Sequence, residues 1–246
     1  MLHPQKYSKN KKSLALNIYK ILLSVNMVKY EPVGDEVQYL KVTLQDGESV
    51  FVEPGHLIYK SSEVHIDAQA GGLHGALSHM LSGSAVFLIK VSGPGVFTSA
   101  GFLPGKILEV KLNGNSILAE FNAFLAMDSG VEYSRKFAGI WTGMMGGEGV
   151  FLEKFSGNGS VLLHVHGHAM ELDLHPGEQI QVEMSHVLAF EESVQYNVQR
   201  IGGMKTMLLA GAEGEGLFFA NMTGPGKVWV HTISLHQLAL KMIRRQ

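Results

Sequence analysis

The sequence predicts an all-β protein made of three tandem units and a short C-terminal helix, and three observations lead to this fold class. A pattern of glycine, alternating apolar residues and glutamate occurs three times, at intervals of about 65 residues. A second element, with three glycines and one phenylalanine at fixed spacing, follows each copy. The last residues of the chain show the clearest helical spacing of apolar side chains.

The first element has the same seven positions in every copy. Its glycine is followed by apolar residues three and five positions later, a glutamate at six, an apolar pair at ten and eleven, and a valine at seventeen. The period of two at the third and fifth positions predicts a strand with one buried face. The copies are Gly47, Val50, Val52, Glu53, Leu57, Ile58 and Val64; Gly114, Ile117, Ala119, Glu120, Phe124, Leu125 and Val131; and Gly177, Ile180, Val182, Glu183, Val187, Leu188 and Val194.

The second element predicts further strands joined by tight turns. In each copy, β-forming residues stand on both sides of a Gly-X-Gly step, which therefore lacks the strand-to-helix context of a phosphate loop. Because glycine supplies the positive φ that tight hairpins require, we predict hairpin turns at these steps. The copies are Gly83, Phe87, Gly93 and Gly95; Gly147, Phe151, Gly157 and Gly159; and Gly214, Phe218, Gly224 and Gly226.

Both ends of the chain differ from the repeats. Residues 1–27 predict an N-terminal extension, which contains five lysines but lacks acidic residues, the arginines of a transit peptide and the cleavage site of a secretory signal. An amphipathic stripe within it leaves a targeting or surface-anchoring role open as the alternative. At the other end, residues 234–245 predict a helix, because Ser234 can cap its start and Arg244 and Arg245 suit the negative end of its dipole.

We expect residues 28–246 to form a single domain. Its three repeat units span approximately residues 28–97, 98–162 and 163–230, and the C-terminal helix follows them.

Composition restricts the class of function. The net charge of −2 and the 17% of charged residues disfavour nucleic-acid binding, which depends on neutralising phosphates. The absence of cysteine excludes disulfides, thiolate metal sites and a cysteine nucleophile. No apolar run reaches the roughly 18 residues of a membrane-spanning helix, so we expect a soluble protein without a transmembrane segment.

A run of alternating histidines supplies the candidate metal ligands, which are His164, His166 and His168. Histidines on a β-barrel wall bind zinc or iron in several enzymes, with a carboxylate such as Glu171 or Asp173 nearby. However, alternate residues of one strand lie about 7 Å apart, and one ion rarely takes three such ligands. The sequence therefore favours a solvated or interface run, and we assign no catalytic residue, no cofactor and no metal ligand beyond these candidates.

The repeated glutamates have two interpretations. Glu53, Glu120 and Glu183 form a ring of carboxylates if the units surround an axis, or each accepts hydrogen bonds in equivalent places, which we favour. His56 and His186 occupy matching positions, whereas the middle copy has alanine there. We therefore favour packing or a turn hydrogen bond for these two histidines over a catalytic dyad.

Several motifs together resemble the altered-inheritance-of-mitochondria family over about residues 28–243. Ser84 stands where the family usually has glutamate, and residues 1–26 have no counterpart. The motifs are the run from Gly83 to Gly95, Phe124-Leu125-Ala126, Gly146-Gly147-Glu148-Gly149, Gly214-Glu215-Gly216-Leu217-Phe218 and Gly224-Pro225-Gly226-Lys227-Val228-Trp229.

The resemblance implies a fold like that of the trp RNA-binding attenuation protein (TRAP), a double-stranded β-helix or β-sandwich whose short units assemble into rings. It also implies three units per chain and three chains per ring. The family has no established catalytic site, so the resemblance assigns no catalytic residues. It implies a cytoplasmic location, or a mitochondrial one if the source is eukaryotic.

We expect a non-enzymatic assembly or binding module that forms a homotrimeric ring and has room for other protein partners. The first alternative is a metal-dependent enzyme that uses the histidine run on a β-barrel wall. The second is an RNA-binding protein by analogy of fold, although fold alone does not carry function and the charge balance disfavours it.

Overall fold

The computed structural model describes residues 28–68, 88–121, 123–140, 149–201, 217–235, 237–238 and 242. These residues form β-strands and two short 3₁₀ helices, Pro54–His56 and Met184–His186, so the prediction of an all-β protein is confirmed. The strands are β1 (Lys29–Val33), β2 (Tyr39–Leu44), β3 (Ser49–Val52), β4 (Leu57–Lys60), β5 (His65–Asp67), β6 (Ile89–Ser92), β7 (Gly95–Ser99), β8 (Gly105–Glu120), β9 (Phe124–Asp128), β10 (Val131–Ile140), β11 (Gly149–His166), β12 (Ala169–Leu174), β13 (Gln179–Glu183), β14 (Val187–Glu191), β15 (Gln195–Ile201), β16 (Leu217–Thr223) and β17 (Gly226–His231).

The strands form three antiparallel sheets. The four-stranded sheet has the order β1-β2-β7-β4, and the three-stranded sheet has the order β13-β16-β15. The ten-stranded sheet has the order β12-β17-β14-β8-β11-β9-β3-β6-β5, and β10 pairs with β11. Alternation along β2 buries Leu40, Val42 and Leu44, as expected for a strand with one face on the core.

A two-stranded antiparallel ribbon occurs in three parts of the chain. β2 pairs with β7 in one sheet, and the strands that continue them, β3 and β6, pair with each other in another sheet. β12 and β17 continue into β13 and β16 in the same manner. The middle ribbon is formed by two long strands, β8 and β11. The registers correspond, because Leu44 pairs with Gly95, Leu112 with Gly159 and Leu174 with Gly226.

The Gly-X-Gly steps are not hairpin turns, and that prediction is wrong. Gly93 and Gly95 connect β6 to β7, which lie in different sheets. A Cβ on Gly93 would lie only 2.4 Å from the carbonyl oxygen of Gln45, and the φ of Gly95 is +137°. Glycine is therefore needed where the two backbones of the ribbon bend together from one sheet to the next.

Three clusters of buried side chains form the core. The first surrounds Phe97 and also receives Leu125 and Leu162 from the following part of the chain. The second surrounds Phe155 and receives Leu188. The third surrounds Phe190 and Met222. The first two clusters are thus completed by residues that come later in the sequence.

The start of the predicted C-terminal helix is described. Residues 235, 237, 238 and 242 have helical backbone, and the Ser234 hydroxyl accepts the backbone N–H of Gln237 at 3.1 Å, which is the expected cap. The other positions of the predicted 234–245 helix, and residues 1–27, lie outside the described residues. Within the described ranges, no helix is long and apolar enough to cross a lipid bilayer.

Candidate metal centre

A cluster of buried histidines lies at the ends of three strands of the ten-stranded sheet. β8 ends at Glu120, β11 ends at His166 and β17 ends at His231. The imidazole of His166 stacks on that of His231 with ring centroids 4.9 Å apart, and His164 packs edge-on against His166 at 5.2 Å. All three imidazoles are buried.

Three heteroatoms face one another in this cluster. Oε1 of Glu120 lies 3.6 Å from Nδ1 of His231 and 3.9 Å from Nδ1 of His166, and the three atoms lie within 4.8 Å of one another. Each of them is buried and has no hydrogen-bond partner within the described part of the chain. Buried polar atoms are normally paired, so this arrangement calls for a chemical explanation.

The ring of His231 is held from its other side. Its Nε2–H donates to the carbonyl oxygen of Ser185 at 3.1 Å, because a carbonyl can only accept. This bond selects the tautomer whose Nδ1 carries the free lone pair directed at Glu120. The 3₁₀ helix also places His186, whose Nδ1 donates to the backbone carbonyl of His231 at 2.7 Å.

The structure brings together two of the three candidate histidines predicted from the sequence. His164 and His166 lie on the same buried side of β11, as alternation requires. The strand ends at His166, and Gly167 has a φ of +74°, so the alternation stops there. His168 is exposed, and the proposed carboxylate partner Glu171 binds Lys227 and the indole of Trp229 instead.

Sequence reasoning missed Glu120 and His231 as members of this cluster. A usable signal for His231 was present, because it stands five residues after Gly226, as His164 stands five residues after Gly159. Glu120 was singled out only as one of three repeated glutamates.

The repeated glutamates do not have equivalent partners. Oε2 of Glu53 lies 3.2 Å from Nε2 of His56, and Oε2 of Glu183 lies 3.9 Å from the histidine three residues after it. The middle copy has Ala123 at that position, and Glu120 faces the imidazoles of β11 and β17 instead. Nδ1 of His56 donates to the backbone carbonyl of Ala100, and Nδ1 of His186 to that of His231. Each histidine thus bonds a segment distant in the sequence rather than the turn that we had considered.

Burial determines the ionisation of the cluster. Burial, together with the neighbouring imidazoles, lowers the pKa of His231 and of His164 to about 4, and burial lowers the pKa of His166 below its ordinary value. Burial and the charge of Glu153 raise the pKa of Glu120 to about 8. The imidazoles are therefore neutral at pH 7.

Glu153 is a second buried carboxyl group beside this cluster, and its raised pKa makes the stability of the fold depend on pH. Burial raises its pKa to about 7, although the hydroxyl of Tyr133 donates to it at 2.9 Å. Glu53 raises this pKa further, whereas Arg135 and His56 lower it. Because the folded-state pKa exceeds the unfolded value of 4.5, the stability linked to the protonated carboxyl is complete below about pH 4.5 and is lost as the pH rises to about 7.

We therefore expect Glu153→Gln to be more stable than the wild type at pH 8, by about 2 to 3 kcal/mol, and nearly equal to it at pH 4. Urea unfolding at the two pH values measures the difference. Glu132→Gln, at an exposed position on β10, supplies the control and should follow the wild type at both. An identical pH dependence for Glu153→Gln and the wild type would contradict the prediction.

The fold and the cluster together define a class: an all-β protein of three antiparallel sheets with histidines and a glutamate gathered at the ends of three strands. Residues 30–233 match the Mitochondrial biogenesis AIM24 family, and the chain belongs to that family. This confirms the family resemblance seen in the sequence.

Two relatives extend the comparison. The chain is 25% identical over 211 residues to an uncharacterised protein of Streptococcus pyogenes serotype M6, which covers 81% of this chain and 83% of the relative. The crystal structure of a Streptococcus pyogenes protein has a TM-score of 0.73 and 20% identity, with coverage of 89% of this chain and 100% of that one. The similarity to this crystal structure shows that the two proteins share a fold.

Proposed function

We propose that the chain is a non-enzymatic assembly module whose three tandem units, of the TRAP-like type, join head to tail into a ring of three chains. The observation that carries the proposal is the exposure of Ile58, which stands eleven residues after Gly47. Ile58 is 60% exposed, whereas Leu125 and Leu188, at the corresponding positions of the other copies, are 0% exposed. An apolar residue exposed where its two counterparts are buried marks a contact surface.

Two strand junctions within the chain bury these counterparts. β3 pairs with β9, and the corresponding end of β8 pairs with β14. Positions are counted from the glycine that begins each copy, which is Gly47, Gly114 or Gly177. In both junctions, positions three, four and five of one copy pair with positions fourteen, thirteen and twelve of the next copy. The pairs are Val50 with Asp128, Phe51 with Met127 and Val52 with Ala126, and then Ile117 with Glu191, Leu118 with Phe190 and Ala119 with Ala189.

The same rule predicts a third junction, between chains. In the described pairings β13 has β16 as its only neighbour and β4 has only β7, so each presents a free edge. Free strand edges favour strand addition. The register of the internal junctions places Ile180, Gln181 and Val182 of one chain opposite Ser61, Lys60 and Tyr59 of the next.

The geometry of such contacts is compatible with closure into a ring. The edges of β13 and β4 are different surfaces, and contacts between different surfaces produce either closed rings or open filaments. A ring of three chains contains nine units and leaves no such edge free. Its mass is about 80 kDa, three times the 26.8 kDa of one chain.

Light scattering coupled to size exclusion at micromolar concentration tests this proposal. We expect about 80 kDa for the wild type and a folded monomer for Ile58→Asp, because an unpaired carboxylate buried in the junction costs several kcal/mol. Val37→Asp is the matched control: Val37 is 62% exposed, lies outside β4 and β13, and its substitution should leave the trimer intact. A monomeric wild type, or a trimeric Ile58→Asp variant, would contradict the proposal.

A further inference from the structure

We propose that Glu120, His166 and His231 bind a divalent first-row transition-metal ion, with Zn²⁺ as the probe that reveals it. The two imidazole nitrogens lie 3.6 and 3.9 Å from the same carboxylate oxygen. These distances exceed the roughly 2.7 to 3.2 Å of a hydrogen bond. They are close to the separation of about 3.3 Å between two ligands of one tetrahedral zinc ion, which follows from zinc–nitrogen bonds of about 2.0 to 2.1 Å.

The burial of the three atoms supports the proposal independently of their spacing. His166 and His231 are 5% and 2% exposed, and the facing Nδ1 atoms and Oε1 of Glu120 have no hydrogen-bond partner among the described residues. Leaving three converging polar atoms unpaired is unfavourable. An ion that accepts all three lone pairs satisfies them at once.

Nε2 of His231, which is not one of the three proposed ligand atoms, makes the kind of hydrogen bond that the non-ligating nitrogen of a metal-bound histidine makes. Its Nε2–H donates to the carbonyl of Ser185, and such a bond to a backbone carbonyl commonly orients a ligating imidazole. The orientation of this lone pair is therefore established by the fold rather than by an ion. The side chain of Glu120 is 27% exposed, although its Oε1 atom is buried.

The donor set indicates the class of metal. Two imidazoles and one carboxylate suit zinc and the other first-row transition metals, whereas calcium and magnesium prefer oxygen ligands. Three protein ligands leave a coordination position for water or a small anion, unlike a closed four-ligand structural site. His164 adjoins the ligand set through His166, but its atoms do not belong to the group of three.

Titration calorimetry of the EDTA-treated full-length chain with zinc chloride tests the site. We expect one zinc ion per chain with a dissociation constant below about 1 μM, and an increase in melting temperature of about 5 to 10 °C at one hundred times that concentration. Glu120→Gln and His231→Gln should each weaken binding by about 100-fold or more, because each removes a direct ligand.

His168→Ala provides the matched control, because His168 is an exposed histidine just beyond β11 and should keep the wild-type affinity. X-ray absorption of the zinc-loaded wild type needs no variant and should show two imidazole nitrogens at about 2.0 to 2.1 Å. A wild type that binds no zinc at about 0.1 mM would overturn the proposal. So would unchanged affinity in Glu120→Gln, loss of zinc in His168→Ala, or a metal shell without imidazole.

Discussion

Substitution of Gly105 by alanine is expected to lower the free energy of unfolding by about 3 kcal/mol or more. Gly105 begins β8, and an added Cβ would lie 1.8 Å from the carbonyl oxygen of Val165 and 2.9 Å from the backbone nitrogen of Gly167. Both obstacles are backbone atoms, so no side-chain rotation relieves the overlap. The end of β11 must therefore move away from β8.

Thermal unfolding of Gly105→Ala should show a decrease in melting temperature of about 6 to 12 °C, since 1 kcal/mol corresponds to roughly 2 to 4 °C in a chain of this size. Gly55→Ala is the control, because the nearest atom to its Cβ is Cζ of Phe102 at 3.9 Å. It should remain within about 0.5 kcal/mol of the wild type. Equal melting temperatures for the two variants would contradict the steric argument.

Substitution of Phe155 by alanine is expected to destabilise the protein by about 3 to 5 kcal/mol. Phe155 is fully buried in the second core cluster, with its ring centroid 5.2 Å from that of Phe124 and 5.4 Å from that of Tyr133. Truncation removes these contacts and leaves a cavity that cannot close completely, because β8 and β10, which pair with β11 at Phe155, hold it in register.

Denaturant unfolding of Phe155→Ala measures this loss, and Phe121→Ala is its control. Phe121 is half-exposed and its main specific contact is the guanidinium of Arg135, 4.8 Å from the ring centroid. Its truncation should cost about 1 kcal/mol or less. A loss at Phe155 no greater than that at Phe121 would show that the aromatic group does not hold the middle of the protein together.

The sequence predicted those elements that depend on local pattern. The alternation around Val50 and Val52 identified β3 correctly, because a period of two is a property of adjacent residues. The role of Gly93 was misread because its cause is non-local: the carbonyl of Gln45 approaches it from the turn between β2 and β3. Glycine as a hairpin residue and glycine as a point of close approach have the same local signature.

The candidate site was predictable to the same limited extent. The pairing of His164 with His166 follows from alternation in one strand, and the loss of His168 follows from the positive φ of Gly167, which no local pattern specified. Glu120 and His231 are separated by more than one hundred residues in the sequence. Only the pairing of β8 with both β11 and β14, and of β14 with β17, brings them together.

The core cluster around Phe97 has a consequence for the order in which the chain folds during synthesis. This cluster includes Leu162, which pairs with Ala126 in the strand that borders the first ribbon. At roughly 5 to 20 residues per second, a ribosome adds the residues from 99 to 162 in roughly 3 to 13 s. For that interval the core around Phe97 lacks the contacts of Leu162, so the N-terminal third cannot complete its fold as an independent unit. Folding must therefore await contacts of large sequence separation, which places this protein among slow-folding topologies.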